Sequence, residues 1–140
     1  MPRPRAWVAP VAALTGIEFY ENHLLDAENP NHPSYFDSTR RYEMIVFRGL
    51  ATAPADGAQR MLRVRTRPTV FFVMPGCLVT VRQPDSRLFP QVRERVLSAA
   101  ESRQRLPQAP EELLLRLLNG MVDRYLDLRQ PLTEQVERWQ

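Results

Sequence analysis

The chain has 140 residues, 44% apolar and 25% charged, with a formal net charge of +3 at pH 7. These fractions exclude a disordered or low-complexity polymer and suit one domain with a real core. The single cysteine, Cys77, excludes an internal disulfide, and the longest apolar run, Val70 to Val81, is broken by Pro75-Gly76; a bilayer span takes about 20 residues.

All 19 basic residues are arginines, and ten of them fall between Arg60 and Arg105 against three acids. A basic middle can meet phosphates. These arginines alternate or recur at helical spacing, with no aromatic cluster and no glycine-rich phosphate loop. They read as a solvated face, and no nucleic-acid partner is expected.

In chain order, Arg5 to Ala9 predicts a short strand. Val11 to Glu28 predicts one helix, with Leu14, Ile17, Phe19, Tyr20 and Leu24 on one side. The two prolines and two asparagines between Glu28 and Ser34 predict a loop. Tyr42 to Leu50 has the apolar density of a strand, and Ala51 to Gln59 reads as a surface loop. Met61 to Arg67 alternates, with Leu62, Val64 and Thr66 on one face and three arginines on the other, which predicts a half-exposed strand. Thr69 to Met74 is apolar on both faces, and Pro75-Gly76 turns it into Cys77 to Arg82. The expected sheet therefore holds Tyr42–Leu50, Met61–Thr66, Thr69–Met74 and Cys77–Arg82. Phe72 and Val79 should be buried, with helices covering both faces. Ser86 to Arg105 returns to helical spacing, with Leu88, Val92 and Val96 inward.

Pro110 opens the final helix, with Glu111 and Glu112 in its first turn, where carboxylates suit the positive end of the dipole. Apolar residues then recur at Leu114, Leu118, Met121, Tyr125, Leu128, Leu132, Val136 and Trp139. Steps of three and four make a seam that packs lengthwise against other helices. Pro131 argues against one straight rod, because it removes an N–H and crowds the carbonyl four residues back. The pattern reaches Trp139 without a stop signal, so the chain is expected to be a piece cut inside a long helix.

No nucleophile elbow, Walker loop, C-x-x-C or H-E-x-x-H motif is present, and no enzyme activity is expected. Cys77 reads as a small core residue. His23 and Asp26, three apart on one helix, have the spacing of a metal pair but lack a third nearby ligand. Asp123 and Asp127 lie four apart on an exposed stripe beside Arg124 and Arg129. The residues alone give an α/β domain ending in an interaction helix.

Four segments, in order, resemble the N-terminal cytosolic domain of the CorA family of divalent-cation transporters. They are His23-Leu24-Leu25-Asp26 with its Pro/Asn/His loop; Tyr42 to Arg48; Phe71 to Arg82 with Val92 to Val96 after it; and Leu113 to Tyr125. The chain departs at Leu25, where the family has the glutamate of a Glu-Asp pair, and at Asn119, often acidic there. The resemblance implies a three-layer α/β/α sandwich with a mixed sheet over residues 1–110, and a long last helix continuing from 111–140 into a stalk. It implies a regulatory domain that senses intracellular metal and gates cation flux, at the cytoplasmic face of the inner membrane, in a homopentamer joined to the membrane by further C-terminal helices. The implied metal ligand is Asp26, its acidic partner on a neighbouring chain lying beyond Gln140; Asp123, on the last helix, is a further candidate ligand read from the residues, and the stalk contacts are expected at Leu128, Leu132, Val136 and Trp139. The implied ion is Mg2+, with Zn2+, Co2+ and Ni2+ equally compatible; an isolated fragment is expected to hold no ordered magnesium. The competing reading is a stand-alone α/β module that oligomerises through its C-terminal helix.

Overall fold

The computed structural model describes residues 5–51, 65–82, 88–102 and 106–139, with backbone alone over 99–102. The element order is α1 (Val8–Thr15), α2 (Glu21–Glu28), β1 (Tyr35–Ser38), β2 (Glu43–Leu50), β3 (Thr66–Met74), β4 (Cys77–Val81), α3 (Leu88–Ser102), α4 (Pro110–Leu126) and α5 (Arg129–Trp139). The four strands form one sheet in the order β1-β2-β3-β4. The α/β class holds, with one difference: every pairing among the described strands is antiparallel, not mixed. Short links force this for β1–β2 and β3–β4, since a parallel pair needs a crossover of a dozen or more residues; the link from Leu50 to Thr66 is long enough for either arrangement. The Pro75-Gly76 turn joins β3 to β4, and Gly76 supplies φ 71°.

Residues Pro68 to Met74 of β3 are all buried. The two-residue period sorts them onto two faces. Val70, Phe72 and Met74, with Met44 and Val46 of β2, meet Ile17, Trp7, Val11 and Phe19 from the N-terminal region. Phe71 and Val73 meet Phe89 and Val92 of α3 and Leu114, Leu117 and Met121 of α4. Apolar cover thus reaches both faces, α3 and α4 on one and, on the other, mainly Trp7 in a turn and Ile17 and Phe19 in the link between α1 and α2, and Val79 is only half-buried.

Four expectations are corrected. Arg5 to Ala9 is not a strand: residues 5–7 form a turn, and α1 starts at Val8. Trp7 packs against Phe19 and Phe72, and Pro10 falls in the first helical turn, where its missing N–H costs nothing. The single helix over Val11 to Glu28 is two, because Gly16 caps α1 with φ 71°; Leu14 is 81% exposed while Ile17 is buried. β1 was unforeseen in the polar stretch after the loop; its side chains are mostly exposed, which leaves no apolar alternation to read.

The fourth correction concerns β3, one strand from Thr66 to Met74 rather than two, with residues 61–64 outside the described part. Ala51 N–H bonds the Arg65 carbonyl, so the pairs of odd-numbered residues across β2 and β3 exchange hydrogen bonds. Pro68, opposite Arg48, is in a non-bonded pair, so its ring nitrogen points away from β2. The β4 ladder reaches only to Val70, so the missing N–H costs no strand hydrogen bond.

α4 buries Leu114, Leu117 and Met121, whereas α5 buries nothing. A turn at Asp127-Leu128 separates them. The carbonyl of Asp127 would take its helical bond from residue 131, which is a proline, so the break arises from the sequence.

Phe71→Ala should cost about 3–5 kcal/mol by emptying a fully buried site, whereas Leu132→Ala, 41% exposed, should stay within about 0.5 kcal/mol. Urea midpoints of the two variants check this. Pro131→Ala should let α4 run into α5 through the Asp127 carbonyl, read as new slow amide exchange at residue 131.

Candidate functional site

Most of the polar chemistry gathers on α2 and the loop behind it. Glu21 stands in the first turn of α2, where its charge suits the helix dipole. Arg5 bridges Glu21 at 2.7 Å and also pairs with Glu28 at the far end. These two carboxylates, Glu28 foremost, raise the Arg5 guanidinium still further above its ordinary pKa.

His23 and Leu24 form the buried side of α2. His23 is 6% exposed and held at both ring nitrogens. The Tyr42 hydroxyl accepts the Tyr20 N–H at 3.0 Å, and it lies 2.6 Å from His23 Nδ1. Nε2 lies 2.7 Å from Asp37 Oδ2. A neutral ring satisfies the chain: the hydroxyl donates to Nδ1, and Nε2–H donates to the carboxylate. Among the described residues no buried side-chain nitrogen or oxygen lacks a partner. Burial, the largest effect, raises the Tyr42 pKa above its ordinary value, which keeps the hydroxyl a donor. His23 therefore spends both nitrogens on Tyr42 and Asp37, and the His23–Asp26 pair suggested by their spacing does not form.

Asp26 instead faces the loop. Its Oδ2 lies 3.5 Å from Nε2 of His32, their side chains 34% and 14% exposed. The loop is tightly specified. Asn29 N–H donates to the Asp26 carbonyl and His32 N–H to the Asn29 carbonyl, both at 3.2 Å. Asn31 N–H donates to Asn29 Oδ1 at 2.9 Å. Arg48, on β2, reaches in: Nη1 donates to the carbonyls of Pro30 at 3.2 Å and His32 at 2.8 Å. Its Nε and Nη2 donate to Thr66. The His32 ring sits edge-on to Tyr35, centroids 5.5 Å apart, with Nδ1 2.8 Å from the Pro33 carbonyl.

The remaining sequence candidates lie elsewhere. Asp123 is exposed on α4, and Leu25 turns outward, 50% exposed. Leu128 is half-buried, while Leu132, Val136 and Trp139 are exposed. Among the described residues no group of three or more His, Cys, Asp or Glu side chains is gathered for a metal. Sequence reasoning missed the Tyr42–His23–Asp37 chain, whose members lie 14 and 19 residues from His23 and share no local pattern. It also missed the role of His32, whose only signal was its place in the Pro/Asn loop.

A family model described as "CorA-like Mg2+ transporter protein" matches residues 12–140. No curated protein matches the chain.

Tyr42→Phe should cost about 1–3 kcal/mol, because it leaves the Tyr20 N–H and His23 Nδ1 unpaired. With its folded pKa raised, Tyr42 contributes stability that is fully present below the unfolded value of about 10 and is lost as pH rises through the folded value. Urea midpoints from pH 8 to 11 should therefore fall less steeply in Tyr42→Phe than in the wild type; the remaining fall comes in part from Tyr125, whose pKa burial also raises.

Proposed function

The chain belongs to the CorA-like Mg2+ transporter family, and from that premise we propose that it is the cytosolic regulatory domain of a divalent-cation transporter, sensing intracellular metal and gating flux. The observation that carries this reading is the division of the C-terminal seam. Leu114, Leu117 and Met121 are spent on the core, whereas Leu132, Val136 and Trp139 remain uncovered on α5. An uncovered stripe at helical spacing wants other helices, and in this reading they are the stalks of four further copies. Among the described residues no helix is long and apolar enough to cross a membrane. The reading assigns the conducting path to other, membrane-spanning helices of the whole protein, with this domain at their cytoplasmic side.

Asp26 is the residue assigned to sensing. Its half-exposed carboxylate offers one or two oxygens, and a hydrated Mg2+ takes one or two carboxylates and keeps several waters. A divalent ion there supplies the positive charge that lets acidic groups of two chains sit together. Without it, two carboxylates about 4 Å apart repel by about 4 kcal/mol at an effective dielectric of 20. Asp26 and an acidic partner on a neighbouring chain would then push the assembly toward its open form. Asp123, exposed on α4, is a second acidic candidate in this reading.

In the full-length transporter, Asp26→Asn should shift closure to higher internal Mg2+. Flux measured against internal Mg2+ in wild type and variant checks it, and superimposable curves would remove Asp26 from gating.

A further inference from the structure

We propose that β1 is a pairing edge for a second copy of this chain, the two strands joining antiparallel about a two-fold axis at Phe36. The inference stands apart from the reading of the chain as a transporter domain, and it uses a surface that reading leaves alone.

β1 is an outermost strand of the sheet, so one side of its backbone has no neighbour among the described strands. The register tells which groups face that side. Thr39 N–H donates to the Tyr42 carbonyl, which continues the pairing of Tyr35 with Val46 and of Asp37 with Met44. Odd-numbered residues of β1 therefore turn their N–H and C=O toward β2, and Phe36 and Ser38 turn theirs outward. Natural edge strands are guarded by a basic side chain, a proline or a bulge. Tyr35-Phe36-Asp37-Ser38 has none of these. Its two aromatic rings are instead uncovered, Tyr35 being 43% and Phe36 58% exposed.

The same parity fixes how two copies meet. Hydrogen bonds form only where outward residues face each other, so the axis passes through an outward residue. Phe36 is the choice that uses the whole strand; an axis at Ser38 would run into the link over 39–42. About Phe36, each copy of that residue exchanges both its bonds with the other, with Cα atoms about 5.5 Å apart. The two rings then stand side by side on the face that carries Ile45. Ser38 of each chain meets Ser34 of the other, and Tyr35 comes opposite Asp37.

Charge favours a second copy as the occupant. Past Ser38 stand Arg40 and Arg41, both exposed. Before Tyr35 stands His32, with the Asp26 carboxylate 3.5 Å from its ring and 34% exposed. Pairing about Phe36 sets residue 40 of one chain opposite residue 32 of the other, so a basic end meets an acidic end twice. A β1–β4 contact between copies would be heterologous and would not close into a pair. A two-fold contact has no place inside a ring of five, so in a pentamer it joins chains of two separate assemblies. One short strand per copy makes a small interface, below about 1,200 Å2 in total, and hence a transient pair.

The test uses the whole 140-residue chain, as wild type and with Leu132→Ser, Val136→Ser and Trp139→Ser together. That triple variant removes the other uncovered stripe, and α5 buries nothing, so the fold should stand. In sedimentation velocity up to about 1 mM the triple variant should show a monomer–dimer equilibrium. In both chains the amides of Phe36 and Ser38 should exchange more slowly as concentration rises. Adding Phe36→Lys should weaken association about tenfold or more, since a charged side chain is what guards natural edges. Phe36 belongs to neither core cluster, so circular dichroism and the urea midpoint should not change. Arg40→Glu should also weaken association, as should added salt. A triple variant that stays monomeric, Phe36 and Ser38 amides that gain no protection, association undiminished by Phe36→Lys or by Arg40→Glu, or species growing beyond a dimer, as a β1–β4 contact gives, would each overturn the inference.

Discussion

The constraint on which the rest of the structure depends is that β3 is buried on both faces. Phe71 and Phe72 are adjacent and point opposite ways, and both have no exposed surface. Burying two such side chains is worth about 1.5–3 kcal/mol each, but only if apolar cover arrives from both sides. The N-terminal segment brings Trp7, Ile17 and Phe19 to one face, and α3 and α4 bring Phe89, Leu114 and Met121 to the other. α4 therefore packs on the sheet along its length, from Leu114 in its early turns to Tyr125 in its last, and α5 beyond it buries nothing.

The candidate site is built on the same sheet through Arg48. This residue lies on β2 opposite Pro68, and its guanidinium holds the His32 loop. Its own carbonyl accepts the hydroxyl of Tyr125 near the end of α4. One residue thus ties the loop carrying His32, the sheet and the last core-packed turn of α4. Gly49, next along β2, lies under α4: a Cβ there would lie 2.6 Å from Cε at the flexible tip of Met121. Such contiguity is a physical route by which a change at the loop reaches the helix, although coupling itself requires an element with two discrete arrangements.

How much of this was legible in the sequence depends on which forces are local. The β3–β4 hairpin was, because apolar density on both sides of Pro75-Gly76 has few other solutions. The sheet cover on both faces came from the same density. The split of the N-terminal helix was not, because Gly16 acts through a left-handed cap that apolar periodicity does not register. β1 was hidden because an edge strand with exposed side chains lacks alternation. Pro68 read as a boundary, since its tolerance depends on β4 ending at Val81, opposite Val70. Resemblance singles out Asp26, but helical spacing points to His23 as its neighbour. Three residues apart on a helix is a sound spacing; a buried tyrosine hydroxyl and a carboxylate on β1 had claimed that ring.

Pro131 shows how one residue divides the chain's labour. With no N–H to give Asp127, it ends the helix that serves the core and lets α5 start afresh at Arg129. On the near side, Met121 is 6% exposed; on the far side, Val136 is 51% and Trp139 is 70% exposed. A continuous rod would hold the uncovered stripe in fixed phase with the buried one. The break separates the two phases, and α5 buries no side chain against the sheet. The break thus stands at the end of the helix whose Tyr125 reaches the carbonyl of Arg48, the residue that holds the His32 loop.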